Sequence, residues 1–248
     1  MEKKIIGIIP ARGGSKSLPR KNLQILRGIP LIAFTIQSAL DSKKIDEVYV
    51  SSDDSEILDI SKKFGAKTIR RPSQISGDLS RDNELLEHAV STELKNMSMD
   101  SLIIFLRPSH PIRNPNTIDS AISVFQSSDK FDSLRSMKIS NEIPFKMWRI
   151  NENGVAINVT DNKSINTIDP CNAPRQLLPT TYYQDGYVDV FPISTILNFG
   201  NTTGDKVLPF IVNEFSHDID TFDDLRIINN KLDSEPLPEW LNLPIAKI

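Results

Sequence analysis

The sequence predicts an α/β protein of three layers, in which helices cover both faces of a mostly parallel sheet. Continuous apolar runs at 5–9 and 102–106, with a further strand-like run at 47–51, are typical of strands buried on both faces. Between these runs lie segments whose apolar residues recur at helical spacing. Alternating strands and helices of this kind indicate parallel strands joined by right-handed crossovers.

The composition supports a folded globular chain. Its 248 residues suit one domain, and 39% hydrophobic with 25% charged residues is typical of such a core. The formal net charge of -3 argues against a nucleic-acid partner, which would need a basic stripe. With one cysteine, Cys171, no internal disulfide can form. The apolar runs are too short for a signal peptide or a membrane span, so we expect a cytoplasmic protein without a membrane partner.

The elements follow in order from the first strand. A segment rich in glycine and cations, 11–21, comes directly after it. Helical spacing from 30 to 39 places Pro30 at a first turn, where a missing N–H is harmless. Residues 52–54, at the end of the second strand, can cap the next helix, and Gly65 closes that helix.

The alternation then continues toward the C-terminus. A third, short strand at 68–69 is followed by a helix at 82–94. After the next strand, a proline-rich loop leads into a helix at 116–125. A strand at 207–212 and a helix after Thr221 complete the predicted elements.

The pattern changes at about 140–180. Two strand-like runs flank Asn153 and Gly154, a pair that strongly favours a hairpin turn. Apolar residues in these runs, such as Trp148, need a partner surface. We therefore expect a single domain, 1–248, from which a small β-rich arm projects. The alternative for this segment is a plain surface loop.

The strongest chemical signal is the segment 10–22, directly after the first strand. Its glycine pair, Gly13 and Gly14, lets the backbone approach a ligand and aim amides at it. Four cations and no acid stand in the same segment, which is the charge that a triphosphate and its leaving pyrophosphate need. A solvated basic turn is the alternative, but ligands of open α/β sheets bind at this end of the strands. The spacing fits neither a Walker A loop nor a GxGxxG fingerprint. The four cations are Arg12, Lys16, Arg20 and Lys21.

Further segments match a known family, at 71–72, 106–113, 174–179 and 217–221. Together with 10–32, they make the chain resemble the CMP-sialic acid synthetases, or acylneuraminate cytidylyltransferases, over nearly its whole length. The resemblance implies a Rossmann-like, mostly parallel sheet of the nucleotidyltransferase type with a small β-rich dimerisation arm, and hence a homodimer. It also implies transfer of CMP from CTP to the anomeric hydroxyl of a nonulosonic acid sugar, with release of pyrophosphate.

Other activities fit many of the same residues. The acceptor can be a Kdo-like sugar, or the chain can be another sugar nucleotidyltransferase. An alternative from a different class is a nucleotide-binding regulator that has lost catalysis. Such a regulator would be marked by the loss of Lys16 or of the metal-type carboxylates, and all of these are present.

By resemblance, the residues of the donor site divide into two overlapping sets. The catalytic cations are Arg12, Lys16 and Lys21. The nucleotide-binding residues are Ala11, Arg12, Gly13, Gly14, Ser15, Lys16, Asn22 and Arg71.

Two carboxylates, Asp218 and Asp220, flank Ile219 in the sequence. If this segment is a strand end, both carboxylates face one side. Mg²⁺ takes one or two carboxylates together with substrate phosphate oxygens, and the resemblance assigns these two positions to that metal. The alternative is that Asp220 caps the final helix.

The acceptor residues are also assigned by resemblance, and they are rich in cations that suit an acid sugar. Arg107 stands where some relatives have an amide-bearing residue, and it can bind a carboxylate bidentately or pair with an internal acid. Tyr183 and Asp185 also depart from characterised relatives, so the identity of the acid sugar stays open. The acceptor residues are Arg107, Lys146, Arg175 and Gln176.

Overall fold

A computed structural model describes residues 1–160, 167 and 169–234 of the chain. Eleven strands and six helices lie in this part. None of the helices there is both long and apolar enough to cross a membrane.

The chain forms two compact units. One consists of Met1–Ser136 together with the described residues from 186 onward, and the other of Met137–Asp185. The second unit includes the segment at about 140–180 for which the sequence predicts an arm. The expectation that the chain works as a single domain stays a prediction.

The strands form one large sheet and two small ribbons, β2 with β3 and β8 with β9. The strands are β1 (Ile5–Pro10), β2 (Ile25–Leu26), β3 (Ile29–Pro30), β4 (Glu47–Ser52), β5 (Lys67–Arg70), β6 (Leu102–Phe105), β7 (Ser133–Ile139), β8 (Trp148–Ile150), β9 (Ala156–Asn158), β10 (Tyr182–Pro192) and β11 (Val207–Ile211). The large sheet has the order β11, β7, β10, β6, β1, β4, β5. Because β1 pairs in parallel with β4 and β6, and β4 with β5, the predicted parallel core of the sheet is confirmed. β10 is antiparallel to β6.

The order of the strands reverses at β1. The chain runs from β1 to β4 and β5 on one side, and β6 then pairs on the other side of β1. Connections that leave two neighbouring strands in opposite directions open a crevice at their carboxyl ends. The sheet therefore places a ligand crevice between the loops that follow β1 and β6.

The helices begin and end close to their predicted positions. Asp54 caps α2 by accepting two backbone hydrogen bonds, and Gly65 follows its end with φ +94°. α3 ends at Ser91, earlier than predicted, because Thr92 leaves the helical backbone conformation, with φ -110° and ψ -91°. The helices are α1 (Leu31–Leu40), α2 (Ser55–Lys63), α3 (Asp82–Ser91), α4 (Pro115–Gln126), α5 (Ile193–Phe199) and α6 (Phe222–Ser234).

The two faces of β1 support two apolar layers, as a three-layer fold requires. Ile6 and Ile8 pack in the layer that contains Leu86 of α3 and Ile196 of α5. Ile9 packs in the opposite layer, with residues of α1 and α4. Full burial of each such side chain contributes about 1.5–3 kcal/mol. The strand from which the cationic loop emerges is therefore firmly anchored.

A charge cluster ties together the amino ends of β1, β4 and β5. Glu47 accepts hydrogen bonds from Lys4 Nζ at 2.6 Å and from the Tyr49 hydroxyl at 2.7 Å, and Lys67 Nζ lies 2.8 Å from its Oε2. These partners, Lys4 first, lower the pKa of Glu47 to about 2, although partial burial opposes the shift. The cluster lies at the edge opposite the crevice, so it serves stability.

Replacing Glu47 with glutamine should lower the free energy of unfolding by about 1 kcal/mol at neutral pH. Since the folded pKa of Glu47 is depressed to about 2, its contribution is complete above about pH 4.5 and is lost as the pH falls toward 2. Urea unfolding should therefore show the two proteins converging in acid. A difference that stayed constant over this interval would contradict the assignment.

The second unit contains the predicted hairpin. β8 and β9 pair antiparallel, with Arg149 opposite Ile157. In the turn, Gly154 has φ +75° and its N–H donates to Asn151 O at 3.0 Å. Glycine adopts this backbone conformation at little cost. Part of the segment at about 140–180, residues 161–166 and 168, lies outside the described residues.

Candidate functional site

The loops that follow β1, β5 and β6 meet at the carboxyl edge of the sheet. They line two adjoining cavities of about 290 and 360 Å³, close to the lower end of the range for ligand sites. Both cavities are bordered by Arg12, Lys21, Asn22 and Asp78. The first is also bordered by Arg71, Asp82 and Arg107. The second is also bordered by Ser15, Lys16 and Asp220.

The loop after β1 is held by bonds within the fold. Asn22 Nδ2 donates to Arg12 O at 2.9 Å, which joins the two ends of the loop. Gly13 N–H donates to Asp53 Oδ1 at 3.0 Å. A Cβ on Gly13 would lie 2.9 Å from Asp54 Cβ, so the close approach requires glycine at this position.

Two backbone positions expected to face a nucleotide donate hydrogen bonds within the fold. Ala11 is fully buried, and its N–H donates to Ser51 O at 2.9 Å. The N–H of Gly13 is occupied by the carboxylate of Asp53. The Gly13 amide is therefore not free for a ligand, which differs from the expectation for the glycine pair. A role of Ala11 in nucleotide binding stays a prediction. Gly14 is exposed with open space around it.

Asp78 lies between two of the predicted cations. Its Oδ1 is 3.1 Å from Arg12 Nη1, and its Oδ2 is 2.5 Å from Lys16 Nζ. The hydrogen bond from Lys16 is the main cause that lowers the pKa of Asp78. A carboxylate that bridges two cations stands where the phosphate oxygens of a ligand would pair with them.

The remaining two cations of the loop differ in position. Lys21 is mostly buried, with 20% of its side chain exposed, and its Nζ lies 2.9 Å from Asp220 Oδ1. Arg20 pairs instead with Glu56 and borders neither cavity. The structure therefore brings Arg12, Lys16 and Lys21 to the cavities.

Arg71 brings a buried positive charge to the first cavity. It is 5% exposed, its Nη2 donates to Ser51 O at 3.1 Å, and its Nε has no partner among the described residues. Burial lowers the pKa of its guanidinium, while Asp53 and Asp82 act in the opposite direction. Because a buried polar group without a partner is costly, this geometry favours a ligand that bonds to Arg71.

Arg107 pairs with internal acids, the second of its two expected alternatives. Its Nη1 lies 2.8 Å from Asp189 Oδ2, and its Nη2 lies 2.8 Å from Asp82 Oδ2. Burial alone would lower the pKa of Arg107, but these two carboxylates raise it above its usual value. A direct contact between Arg107 and an acceptor stays a prediction.

The segment with the two metal-type carboxylates is a loop, so the expected strand end is wrong. Burial nevertheless alternates along it, since Ile219 is fully buried while the side chains of Asp218 and Asp220 are 50% and 62% exposed. Ile219 N–H donates to Ser109 O at 2.9 Å. This bond ties the segment to the loop after β6.

The donor chemistry of this segment fits Mg²⁺. Thr221 caps α6, because its Oγ1 accepts from the Asp224 N–H at 3.2 Å, and the carboxylate of Asp220 is not used as the cap. Within the described part of the chain, no three His, Cys, Asp or Glu side chains could hold a metal by themselves. Mg²⁺ needs fewer protein ligands, since it completes its shell with phosphate oxygens and water. The metal stays a prediction.

The other acceptor residues predicted by resemblance belong to the second unit. Lys146 lies in the short helical turn Pro144–Lys146. Arg175 and Gln176 lie in the turn Arg175–Leu177. All three side chains are exposed in that unit. Their roles in acceptor binding stay predictions.

The sequence reasoning missed two carboxylates that organise the site. Asp189 is fully buried inside the apolar run 187–191, and a charged residue in such a run is a signal for a buried partner. Asp53 was considered only as part of a helix cap. No sequence signal shows that it accepts the N–H of Gly13.

The fold and the site together define a class, the α/β proteins with a cationic loop at the point where the order of the strands reverses. A family described as cytidylyltransferase matches residues 6–161, more than half of the chain. The chain belongs to the cytidylyltransferase family.

Curated relatives carry related names. An N-acylneuraminate cytidylyltransferase of Escherichia coli O18:K1:H7 is 34% identical over 144 residues, which are 57% of this chain and 33% of that protein. A CMP-N,N'-diacetyllegionaminic acid synthase of Legionella pneumophila is 39% identical over 131 residues, 51% of this chain and 55% of that protein. The chain therefore spans between about a third and about half of the length of these relatives.

Solved structures support the fold. A CMP:2-keto-3-deoxy-manno-octonic acid synthetase complexed with CTP has a TM-score of 0.67 at 17% identity, over 94% of this chain and 99% of that one. A cytidylyltransferase from Leptospira borgpetersenii has a TM-score of 0.59 at 15% identity, over 94% of this chain and 88% of that one. The predicted Rossmann-like sheet of the nucleotidyltransferase type is thereby confirmed.

Proposed function

We propose that the chain transfers CMP from CTP to the anomeric hydroxyl of a nonulosonic acid sugar and releases pyrophosphate. The observation that carries this proposal is the first cavity, where Arg12, Lys21 and the buried Arg71 converge at the carboxyl edge of the sheet. Membership of the cytidylyltransferase family supports CTP as the donor. Relatives named for acylneuraminic, legionaminic and pseudaminic acids support an acid sugar as the acceptor.

The reaction is an in-line displacement. The acceptor oxygen attacks the α-phosphorus and forms the new P–O bond, and its proton passes to solvent water. The bond between the α-phosphorus and the bridging oxygen breaks, and its electron pair leaves with pyrophosphate. Arg12, Lys16 and Lys21 neutralise the charge that develops on the leaving group. Arg71 holds the nucleotide from the cavity wall.

Asp218 and Asp220 would hold Mg²⁺ beside Lys21. When bound, the ion supplies a Lewis acid that draws charge from the phosphate oxygens. The exposure of both carboxylates and the position of Asp220 at the second cavity support this role.

The proposal is tested by measuring pyrophosphate release from CTP with Mg²⁺ against a panel of acceptors. The panel contains neuraminic, legionaminic and pseudaminic acids, Kdo and hexose 1-phosphates. Turnover with a nonulosonic acid is the expected result. Turnover with only Kdo or a hexose 1-phosphate would assign another acceptor, and CTP binding without any turnover would favour a non-catalytic regulator.

Replacing Asp78 with asparagine should tighten CTP binding about two- to fivefold, because Asp78 competes with the phosphates for Arg12 and Lys16 through exposed ion pairs. The gain should shrink as salt screens these charges. Isothermal titration at two salt concentrations measures both effects. Asp59→Asn, at an exposed position of α2, is the matched control and should bind CTP like the unchanged protein. Weaker binding by Asp78→Asn would show that the carboxylate supports the nucleotide instead.

A second part of the proposal is that two copies of the chain pair through the hairpin of the second unit. Its apolar side chains support this, since Trp148, Ile150 and Val155 are 55%, 76% and 55% exposed. Monomeric proteins seldom leave contiguous apolar patches open to water. Sedimentation at micromolar concentration should show a dimer that Trp148→Glu dissociates. A monomer of the unchanged protein would contradict this part.

A further inference from the structure

Four charged side chains of alternating sign lead from the interior of the first unit to the first cavity. Asp189 is fully buried, and its Oδ2 accepts hydrogen bonds from Arg135 Nη1 at 2.5 Å and from Arg107 Nη1 at 2.8 Å. Arg107 Nη2 in turn donates to Asp82 Oδ2 at 2.8 Å. Both Arg107 and Asp82 border the cavity. The formal charges of the four residues cancel.

Arg107 is fixed by its surroundings as well as by its ion pairs. Its guanidinium lies 4.9 Å from the centroid of the Phe105 ring. Its backbone oxygen accepts a hydrogen bond at 2.8 Å from Nη2 of Arg113, a fully buried residue. A Cβ on Gly186, where φ is +75°, would lie 3.4 Å from Arg107 Cδ. The side chain is therefore packed in one place.

This geometry argues against Arg107 as a clamp for the carboxylate of an acceptor. Both of its terminal nitrogens already donate to carboxylates. The carboxylate of an acceptor would have to displace Asp82 from Arg107, or it would lie close to the carboxylates of Asp82 and Asp189. Like charges at such short range repel one another, so both arrangements are unfavourable. The bond from Arg107 to Asp82 offers another route by which Arg107 can act on the site.

Asp82 borders the cavity, and Arg107 binds only one of its two oxygens. Arg107 fixes Oδ2, while no described residue donates a hydrogen bond to Oδ1, and the side chain is 44% exposed. The same cavity is bordered by Arg71, whose Nε has no partner among the described residues. A carboxylate and a guanidinium that border one cavity suit a ligand that offers both donors and acceptors, as a nucleoside does.

We propose that Arg107 is a positioning residue that holds Asp82 in the wall of the donor cavity, and that Asp189 and Arg135 hold Arg107. The inference rests on the proposed function, since it takes CTP as the donor. Arg107 then sets the affinity for CTP before any acceptor binds. Its contribution disappears when residue 82 carries no charge.

The test measures CTP binding by calorimetry, without acceptor, for Arg107→Gln, Asp82→Asn and the double variant. Each single substitution should weaken binding about tenfold, and the double variant should stay within about twofold of the weaker single, because the pair acts as one unit. At saturating CTP, the acceptor KM of Arg107→Gln should change less than about twofold. Glu87→Gln, exposed on α3, is the matched control and should bind CTP normally.

Arg107→Lys keeps the test decisive if Arg107→Gln fails to fold. Lysine retains the charge but cannot bridge two carboxylates in the planar geometry of a guanidinium, so the same loss of CTP affinity is expected. Additive losses in the double variant would overturn the inference. A raised acceptor KM with unchanged CTP affinity would overturn it in favour of an acceptor clamp. Failure of the unchanged protein to bind CTP would overturn the proposed function, and the inference with it.

Discussion

Replacing Lys21 with glutamine should reduce CTP-dependent pyrophosphate release at least about a hundredfold. Lys21 borders both cavities, and only 20% of its side chain is exposed, so its charge acts where water screens it weakly. The leaving pyrophosphate gains charge in the transition state, and interactions that strengthen there accelerate the reaction. We therefore expect kcat to fall much more than the KM for CTP rises.

Arg20→Gln is the matched control for this prediction. It removes the same charge from the neighbouring position of the same loop, but Arg20 pairs with Glu56 and borders neither cavity. Its rate should therefore change less than about twofold. Thermal unfolding of both variants establishes that they fold. Equal losses of rate would mean that the total charge of the loop matters, and the placement of Lys21 does not.

Much of the fold could be predicted because its signals are local. The apolar run at 5–9 identifies a buried strand by itself, without information from distant residues. Asp54 bonds to amides of its own helix, and Gly65 relieves strain at its own position. The end of α3 was missed because Thr92, which looks like an ordinary helical position in the sequence, has non-helical backbone angles.

The types of residue in the site could be predicted, but the hydrogen-bond and ion-pair partners of these residues could not. The cations follow a buried strand, so their place at the carboxyl edge follows from the sheet. Whether the Gly13 amide is free depends on Asp53, which is 40 residues away in sequence and reaches it from the end of β4. One partner of Arg107 is Asp189, 82 residues away. Such partners are fixed by strand order and register, which no local pattern contains.

Replacing Asp220 with asparagine should reduce Mg²⁺-dependent turnover at least about a hundredfold, because a bound metal ion contributes several kcal/mol to charge stabilisation in phosphoryl transfer. Its carboxylate borders the second cavity, 2.9 Å from Lys21 Nζ, and does not cap α6. The substitution should therefore leave the start of that helix intact. Asp218→Asn should show a comparable loss. Mn²⁺ binding, followed by electron paramagnetic resonance with a non-hydrolysable CTP analogue, gives a readout that does not depend on turnover.

Asp223→Asn separates a metal ligand from a general loss of negative charge in this region. Asp223 lies in the first turn of α6, is 80% exposed and pairs with Arg226. It should retain both turnover and the Mn²⁺ signal, whereas the variants at 218 and 220 should lose both. If Asp220→Asn lost turnover but kept the Mn²⁺ signal, Asp220 would act by orienting Lys21, and its assignment as a metal ligand would be wrong. If it kept both, neither role would hold.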